Sequence, residues 1–329
     1  MKLGIVGTGM IACELIEQVL PHIFSVQPVA LCSTPRSLEK AQALGRQHAI
    51  PFVTADYAAL LSADIDAVYL GIPNQLHAAY AEQALLAGKH VICEKPLTSA
   101  IEEAEALAAL ARERKLFLLE AISNQYMQSY HEIGKQLPRL GKIKHIFCNY
   151  SQYSSRYDRF LRGDIAPAFN PTCSGGALMD LNLYNVYFVV GLFDTPEEVH
   201  YLPVIENHID TSGVLTMRYR DHSAVCIGAK SCSGPSSCLI EGTNGYLQMD
   251  APANSCGSFL IQLRGKSAEQ ITIPTPAHRM TEEFLAFARI LEQNDWTACE
   301  AALEKSLLVS RILTQARRDA GIVFPADHL

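Results

Sequence analysis

Paired cysteines are missing from this chain. Its ten cysteines are scattered with no Cys-x-x-Cys, and none of its histidines stands in an H-x-x-x-H spacing, so the common zinc signatures are excluded and no metal is expected. Several cysteines fall inside apolar, strand-like runs, which reads as reduced, buried thiols in a cytoplasmic protein. Basic residues are also short: 27 Lys and Arg against 34 Asp and Glu leave a net charge of -7, which argues against a nucleic-acid partner. Long hydrophobic runs are absent too. The longest, near Val186 to Phe193, falls well below the roughly 18 residues that would suggest a bilayer span. From Met1-Lys2-Leu3 the chain goes straight into a glycine motif, without the apolar core of about 7–15 residues that marks a secretory signal. There is no low-complexity linker and no internal repeat. What remains is 329 residues, 49% of them hydrophobic, with ordinary glycine and proline counts, which excludes a disordered or collagenous chain. On the prior of about 100–200 residues per domain, that length predicts two domains.

The first third alternates short strands with amphipathic helices. Leu3–Val6, Val29–Cys32, Phe52-Val53, Ala67–Leu70, Val91–Cys93 and Leu116–Leu119 read as strands. Ile11–Leu20, a Ser37-capped stretch to His48, Asp56–Leu61, Gln75–Ala87 and Ile101–Lys115 read as helices. Strands apolar on both faces predict a parallel sheet covered on both sides. After Ala121 the pattern changes to alternation over Ile143–Tyr153, Gly213–Tyr219, Ala224–Ala229, Ser237–Glu241 and Tyr246–Met249, with Asn244-Gly245 as a hairpin signal. Helices are expected over Leu178–Val190, Glu282–Gln293 and Cys299–Ala320. The expectation is α/β: an N-terminal Rossmann doubly wound parallel sheet over residues 1–121, then a C-terminal α+β domain over residues 122–329 built on an open, mostly antiparallel sheet.

Three motifs carry chemistry. Gly7-Thr8-Gly9-Met10-Ile11-Ala12 follows a strand and opens a helix, the context a dinucleotide fingerprint requires: glycines for the tight turn and close backbone approach, and a helix N-terminus facing the pyrophosphate. After the second strand comes Cys32-Ser33-Thr34-Pro35-Arg36, with no acid to bind a ribose 2′-hydroxyl. Ser33, Thr34 and Arg36 suit a 2′-phosphate better, so NADP is favoured over NAD. Glu94-Lys95-Pro96 closes a parallel strand, where Lys95 points toward the cofactor crevice and can hydrogen-bond a substrate oxygen. In Ser174-Gly175-Gly176-Ala177-Leu178-Met179-Asp180-Leu181-Asn182-Leu183-Tyr184, glycines precede a helix on which Asp180 and Tyr184 lie four apart, hence on one face. A carboxylate and a phenol so placed can move a proton while hydride moves to or from a nicotinamide. With an ordinary pKa near 10, the phenol needs a cation such as Lys95. Tyr150, Tyr153, Arg156 and Tyr157 read either as cleft lining or as packing.

Together these motifs resemble the glucose-fructose oxidoreductase, inositol dehydrogenase and MocA family, over nearly the whole chain. The glycine motif, the loop Gly71-Ile72-Pro73-Asn74 with His77, Gly88-Lys89-His90-Val91 and Glu94-Lys95-Pro96 occur in family order. The resemblance implies that Lys95 orients substrate and cofactor, that Lys95-Pro96 is a cis peptide, and that the cofactor is met by Gly7, Thr8, Gly9, Met10, Ile11, Ile72, Pro73, Asn74, His77, Glu94 and Lys95. The family's Asp-x-Gly-x-His segment matches Asp180-Leu181-Asn182-Leu183-Tyr184 with two departures. Tyr184 replaces histidine, as in members resembling dimeric dihydrodiol dehydrogenase, which points to a tyrosine acid/base and away from inositol dehydrogenase activity. Asn182 stands where glycine is often found. The implied activity is an NAD(P)-dependent oxidoreductase acting on a secondary alcohol or carbonyl of a sugar, polyol or cyclic diol, with Lys95, Asp180 and Tyr184 catalytic. The resemblance also implies a homodimer, or a tetramer built from dimers. The alternative is a non-catalytic dinucleotide-binding sensor or regulator of the same fold; a zinc alcohol dehydrogenase is disfavoured by the lack of ligand spacing.

Overall fold

A computed structural model describes residues 1–328. The chain divides into two compact units, Met1–Ala121 with Pro276–Leu307, and Ile122–Thr275 with Leu308–Leu329. The sequence reading keeps all of 122–329 together, whereas the structure groups 276–307 with the first unit. The helix Thr281–Gln293 shows why: Phe284 packs edge-on against Tyr69, at 5.6 Å between ring centroids. Amphipathicity demands a partner surface for a helix but does not name it.

In the first unit, six parallel strands run in the order β3-β2-β1-β4-β5-β6: β1 Lys2–Val6, β2 Gln27–Cys32, β3 Phe52–Thr54, β4 Ala67–Leu70, β5 His90–Glu94 and β6 Leu118–Ala121. The order reverses between β1 and β4, and in such sheets ligands bind beyond the carboxyl ends of the strands at that reversal. Ala67, Val68, Tyr69 and Leu70 are fully buried, as expected of a strand covered on both faces. The expected helix Ile11–Leu20 is an α-turn, Met10–Glu14, that widens to a π-helix over Leu15–Val19 and tightens at Leu20–His22, where Pro21 ends it. Ser37 precedes the helix Leu38–Gln47 but makes no side-chain cap.

The second unit holds eight strands: β7 Ile143–Ser151, β8 Glu198–Glu206, β9 Ile209–Arg218, β10 Ser223–Ala229, β11 Ser237–Gly242, β12 Gly245–Met249, β13 Ser258–Leu263 and β14 Glu269–Thr272. Their order is β14-β13-β12-β11-β7-β10-β9-β8. Every pairing is antiparallel except β7 with β10. The hairpin loop is Thr243-Asn244, one residue earlier than expected, and Gly245 opens β12 opposite Gly242. One face is buried, with Ile146, Cys148, Cys226, Cys238, Ile240 and Leu247 in the core. On the other, Phe147 is 42% and Leu202 68% exposed, so the sheet is open on that side.

Helical turns from Pro171 to Phe193 are apolar enough to pass for a membrane span by composition, at mean hydropathy 1.3, which corrects the reading that no run comes near that length. The most apolar part of the stretch is mostly buried inside the protein, and Leu183, Val186, Phe188 and Val189 lie in the second unit's core. It is a core helix. All ten cysteines are free, and among the described residues no three His, Cys, Asp or Glu side chains are grouped to hold a metal.

Candidate functional site

In the first unit the sequence motifs converge on the carboxyl ends of β1, β2, β4 and β5. Gly7 has φ +112°, and a Cβ there would collide with the Gly71 carbonyl, so this turn needs glycine. Gly9 fills the N-cap of the first helix without a capping side chain. A Cβ on Gly9 would meet only the Gly71 carbonyl, at 4.0 Å, so the space beside it is open to a ligand. Open space against a glycine backbone at a helix start fits a dinucleotide pyrophosphate. The Lys40 ammonium donates to the Thr8 carbonyl at 2.6 Å, which places a cation on this loop that no motif predicted.

The loop after β2 divides. Thr34 and Arg36 are exposed, but Ser33 is 7% exposed, and its hydroxyl donates to the Thr34 carbonyl at 3.1 Å. Ser33 thus shapes the loop from within, and Arg36 is the group held out to solvent.

His77 and Glu94 differ more from expectation. His77 is fully buried, with Nδ1 2.8 Å from the Pro96 carbonyl and Nε2 3.0 Å from the Ile72 carbonyl. Each nitrogen lies within hydrogen-bond distance of a backbone carbonyl, so the ring bridges the loop after β4 and the turn after β5. Burial lowers its pKa, and a neutral ring donates to only one of these carbonyls. Glu94 also faces inward, where its Oε1 accepts a 2.7 Å hydrogen bond from the Tyr69 hydroxyl. Burial raises the Glu94 carboxyl above its ordinary range; buried Glu283 is raised further, by its own burial and by the charge of Glu94. Lys95, which follows Glu94, is half-buried and precedes a cis Lys95-Pro96 peptide, as the resemblance implied. The buried Glu120 carboxylate accepts from the Leu97 amide at 2.9 Å and fixes the same turn.

In the second unit the glycine segment ends in a tight turn, with Ser174 at φ +56° and Gly176 at φ +107°. A Cβ on Gly176 would land on the Asp210 carboxylate. Asp210 is 1% exposed and accepts from the Leu178 amide and the Tyr201 hydroxyl, each at 2.7 Å. Burial pushes its carboxyl up to about 6 despite these bonds and the nearby Lys230 charge. Leu178–Asn182 is a π-helix and Leu183–Phe193 an α-helix, so Asp180 sits in the wide turn and Tyr184 in the regular helix that follows.

The Asp180 carboxylate, 32% exposed, lies 2.8 Å from the ammonium of Lys230, a buried cation that the sequence reading missed. Lys230 stands at the end of β10 with no motif around it, 50 residues from its partner. Tyr184 is 4% exposed, its ring centroid 6.2 Å from that of Tyr150, and its carbonyl accepts from the Asn124 amide at 2.9 Å. Asn182 faces the sheet: it donates to the Cys226 carbonyl at 3.0 Å and accepts from Asn185 at 2.9 Å. Its Cβ sits over Gly228, where any side chain would intrude. Replacing the family's glycine therefore packs the helix on β10. Tyr157 is a packing residue, hydrogen-bonded to Glu206 at 2.8 Å and stacked near Phe160 and Phe169, while Tyr153 bonds Asp158 at 2.6 Å.

Residues 1–121 match the model of an oxidoreductase family with an NAD-binding Rossmann fold. Over 330 residues the chain is 31% identical to scyllo-inositol 2-dehydrogenase (NADP(+)) of Bacillus subtilis, covering 100% of this chain and 99% of the relative. It is 25% identical to trans-1,2-dihydrobenzene-1,2-diol dehydrogenase of Danio rerio over 344 residues, covering 99% of each. A 3-ketoreductase from Actinomadura kijaniata, solved with TDP-benzene and NADP, superposes with a TM-score of 0.81 over 96% of both chains at 22% identity.

Proposed function

The chain belongs to the Gfo/Idh/MocA oxidoreductase family, and from that premise we propose how its residues divide the work of an NADP-dependent dehydrogenase. It is an oxidoreductase that moves a hydride between a nicotinamide and a secondary alcohol or carbonyl, and the dehydrogenases named above support that reading over a sensor. NADP is the cofactor, and it supplies or takes the hydride when bound. Gly7, Thr8, Gly9, Met10 and Ile11 hold its pyrophosphate, Thr34 and Arg36 its 2′-phosphate, and Ile72, Pro73 and Asn74 wall its site. The open space beside Gly9 carries this assignment. In the reducing direction Tyr184 gives its hydroxyl proton to the substrate oxygen, Lys95 polarises that oxygen, and Asp180 orients the substrate through its hydroxyls. The substrate is a polyol, sugar or cyclic diol; the inositol and dihydrodiol relatives support the polyol and the diol.

The test is turnover with NADPH and NADP⁺ on a panel of inositols, aldoses and trans-diols, in wild type and in Tyr184→Phe. The variant should fold and lose about 10²-fold or more in kcat, with an altered pH profile. An unchanged profile would move the proton role elsewhere. The exposed Phe147, Leu202 and Val204 on the open sheet face support a homodimer, two-fold pairing being the commonest way to cover such a face. Light scattering should then give twice 36.1 kDa or a multiple of it, and a 36.1 kDa particle at micromolar concentration would refute the dimer. The free thiols support a cytoplasmic setting.

A further inference from the structure

The Asp180–Lys230 contact lies wholly within the second unit. Lys230 is 2% exposed, so its charge has almost no water and must be met by protein. It is met three ways: the ammonium donates to the Ala168 carbonyl at 2.6 Å and to Asp180 Oδ2 at 2.8 Å, and stands 4.4 Å over the centre of the Phe169 ring. Three protons thus face three electron-rich partners. The backbone around it is fixed as well, since the Lys230 amide donates to the Thr211 carbonyl at 2.8 Å and its own carbonyl accepts from Ser154 at 2.9 Å. A buried ammonium with this partner set is rigid, and it holds one carboxylate oxygen of Asp180 in place.

From this we infer that Lys230 is a positioning residue for the reaction. It keeps the Asp180 side chain aimed, and it clamps the Pro167–Phe169 turn against the start of the helix that bears Asp180 and Tyr184. The inference rests on the proposed role of Asp180 toward substrate. It adds that this role depends on a cation supplied from β10, so substrate turnover is sensitive to a residue that does not touch substrate.

The experiment is a double-mutant cycle on the full chain: wild type, Lys230→Met, Asp180→Asn and the double variant, each with kcat and KM for the best-turned substrate and Kd for NADPH by fluorescence quenching. Lys230→Gln runs in parallel, because its amide still offers a donor to Ala168 if the apolar variant fails to fold. Lys230→Met and Lys230→Gln should each lower kcat/KM for substrate about ten- to a hundredfold, the scale of a small misplacement of a reacting geometry, while NADPH Kd stays within about twofold. In the Asp180→Asn background the same changes should cost less than about threefold, because the lysine acts through the carboxylate. Equal losses in both backgrounds, or a parallel loss of NADPH affinity, would overturn the inference by showing a general structural role. If Asp180→Asn is impaired while the Lys230 variants are not, Lys230 alone loses its role. If Asp180→Asn keeps full activity, the proposed role of Asp180 falls and the inference falls with it.

Discussion

Asp210→Asn should raise the stability of the second unit at alkaline pH, and the gain should shrink on acidification. The carboxyl is 1% exposed and titrates at about 6 in the folded chain, against an ordinary 3.8, because burial outweighs the bonds from Tyr201 and the Leu178 amide. An acid whose folded pKa lies above its unfolded value binds more protons folded than unfolded between the two. Its contribution therefore improves as pH falls through 6 and is complete below 3.8. The difference of 2.2 units corresponds to about 3 kcal/mol of penalty at pH 8, at 1.36 kcal/mol per unit. By pH 5 the penalty has fallen by roughly half. An asparagine oxygen can accept both 2.7 Å bonds and carries no charge, so the variant escapes the penalty at every pH. Thermal melts of wild type and Asp210→Asn from pH 5 to pH 8 isolate this one group, since all other carboxyls cancel in the difference. Asp210→Asn should melt higher at pH 8, with the gap narrowing by about 3–6 °C at pH 5 for a unit of this size. A gap that is constant or widens on acidification would refute the reasoning.

The other predictions concern the first unit. Arg36→Ala should lower kcat/KM for NADPH about ten- to a hundredfold and leave NADH unchanged, since only NADPH offers a phosphate to the exposed guanidinium; equal losses with both cofactors would make the loop structural. Ser33→Asp should destabilise the chain as well as disfavour NADPH, because Ser33 is buried; a variant with wild-type Tm would place the side chain outside. Lys95→Ala should lower kcat by about 10²-fold or more with little change in NADPH binding, and a loss within twofold would remove its role.

How much of this was legible before the structure follows from the range of each interaction. The parallel sheet was legible because β1, β4 and β5 are short apolar runs bounded by glycine, a local signal. Strands β8, β13 and β14 were not read. In β8, Leu202, Pro203, Val204 and Ile205 break the alternation that marks a half-buried strand, and β14, Glu-Gln-Ile-Thr, is nearly all polar. The π-turns under Ile11–Leu20 and Leu178–Asn182 have the same apolar periodicity as an α-helix at this length. Residue type was easier to read than residue direction. Glu94, His77 and Ser33 stand where the cofactor motifs put them, yet their side chains turn inward to Tyr69, to two loop carbonyls and to Thr34. Lys230 and Lys40 had no local signal, because each meets its partner across 30 to 50 residues of chain.

The inward-turned residues explain a feature that a list of site residues hides. Lys95 and Asp180, both half-buried, are each flanked by buried, hydrogen-bonded polar groups. Lys95 follows Glu94 and precedes the turn held by His77 and Glu120; Asp180 rests on Lys230; the start of the Asp180 helix rests on Asp210. Burying five ionisable groups this way is costly, and packed hydrophobic side chains would give a more stable core. Such groups are tolerated where reacting side chains must be held to a fraction of an ångström, because a hydrogen bond fixes direction and an apolar contact does not. The stability that Asp210→Asn should recover is therefore the expected counterpart of a loss in turnover. A variant more stable at pH 8 but with reduced kcat would show that the buried carboxylate at the helix start serves the chemistry.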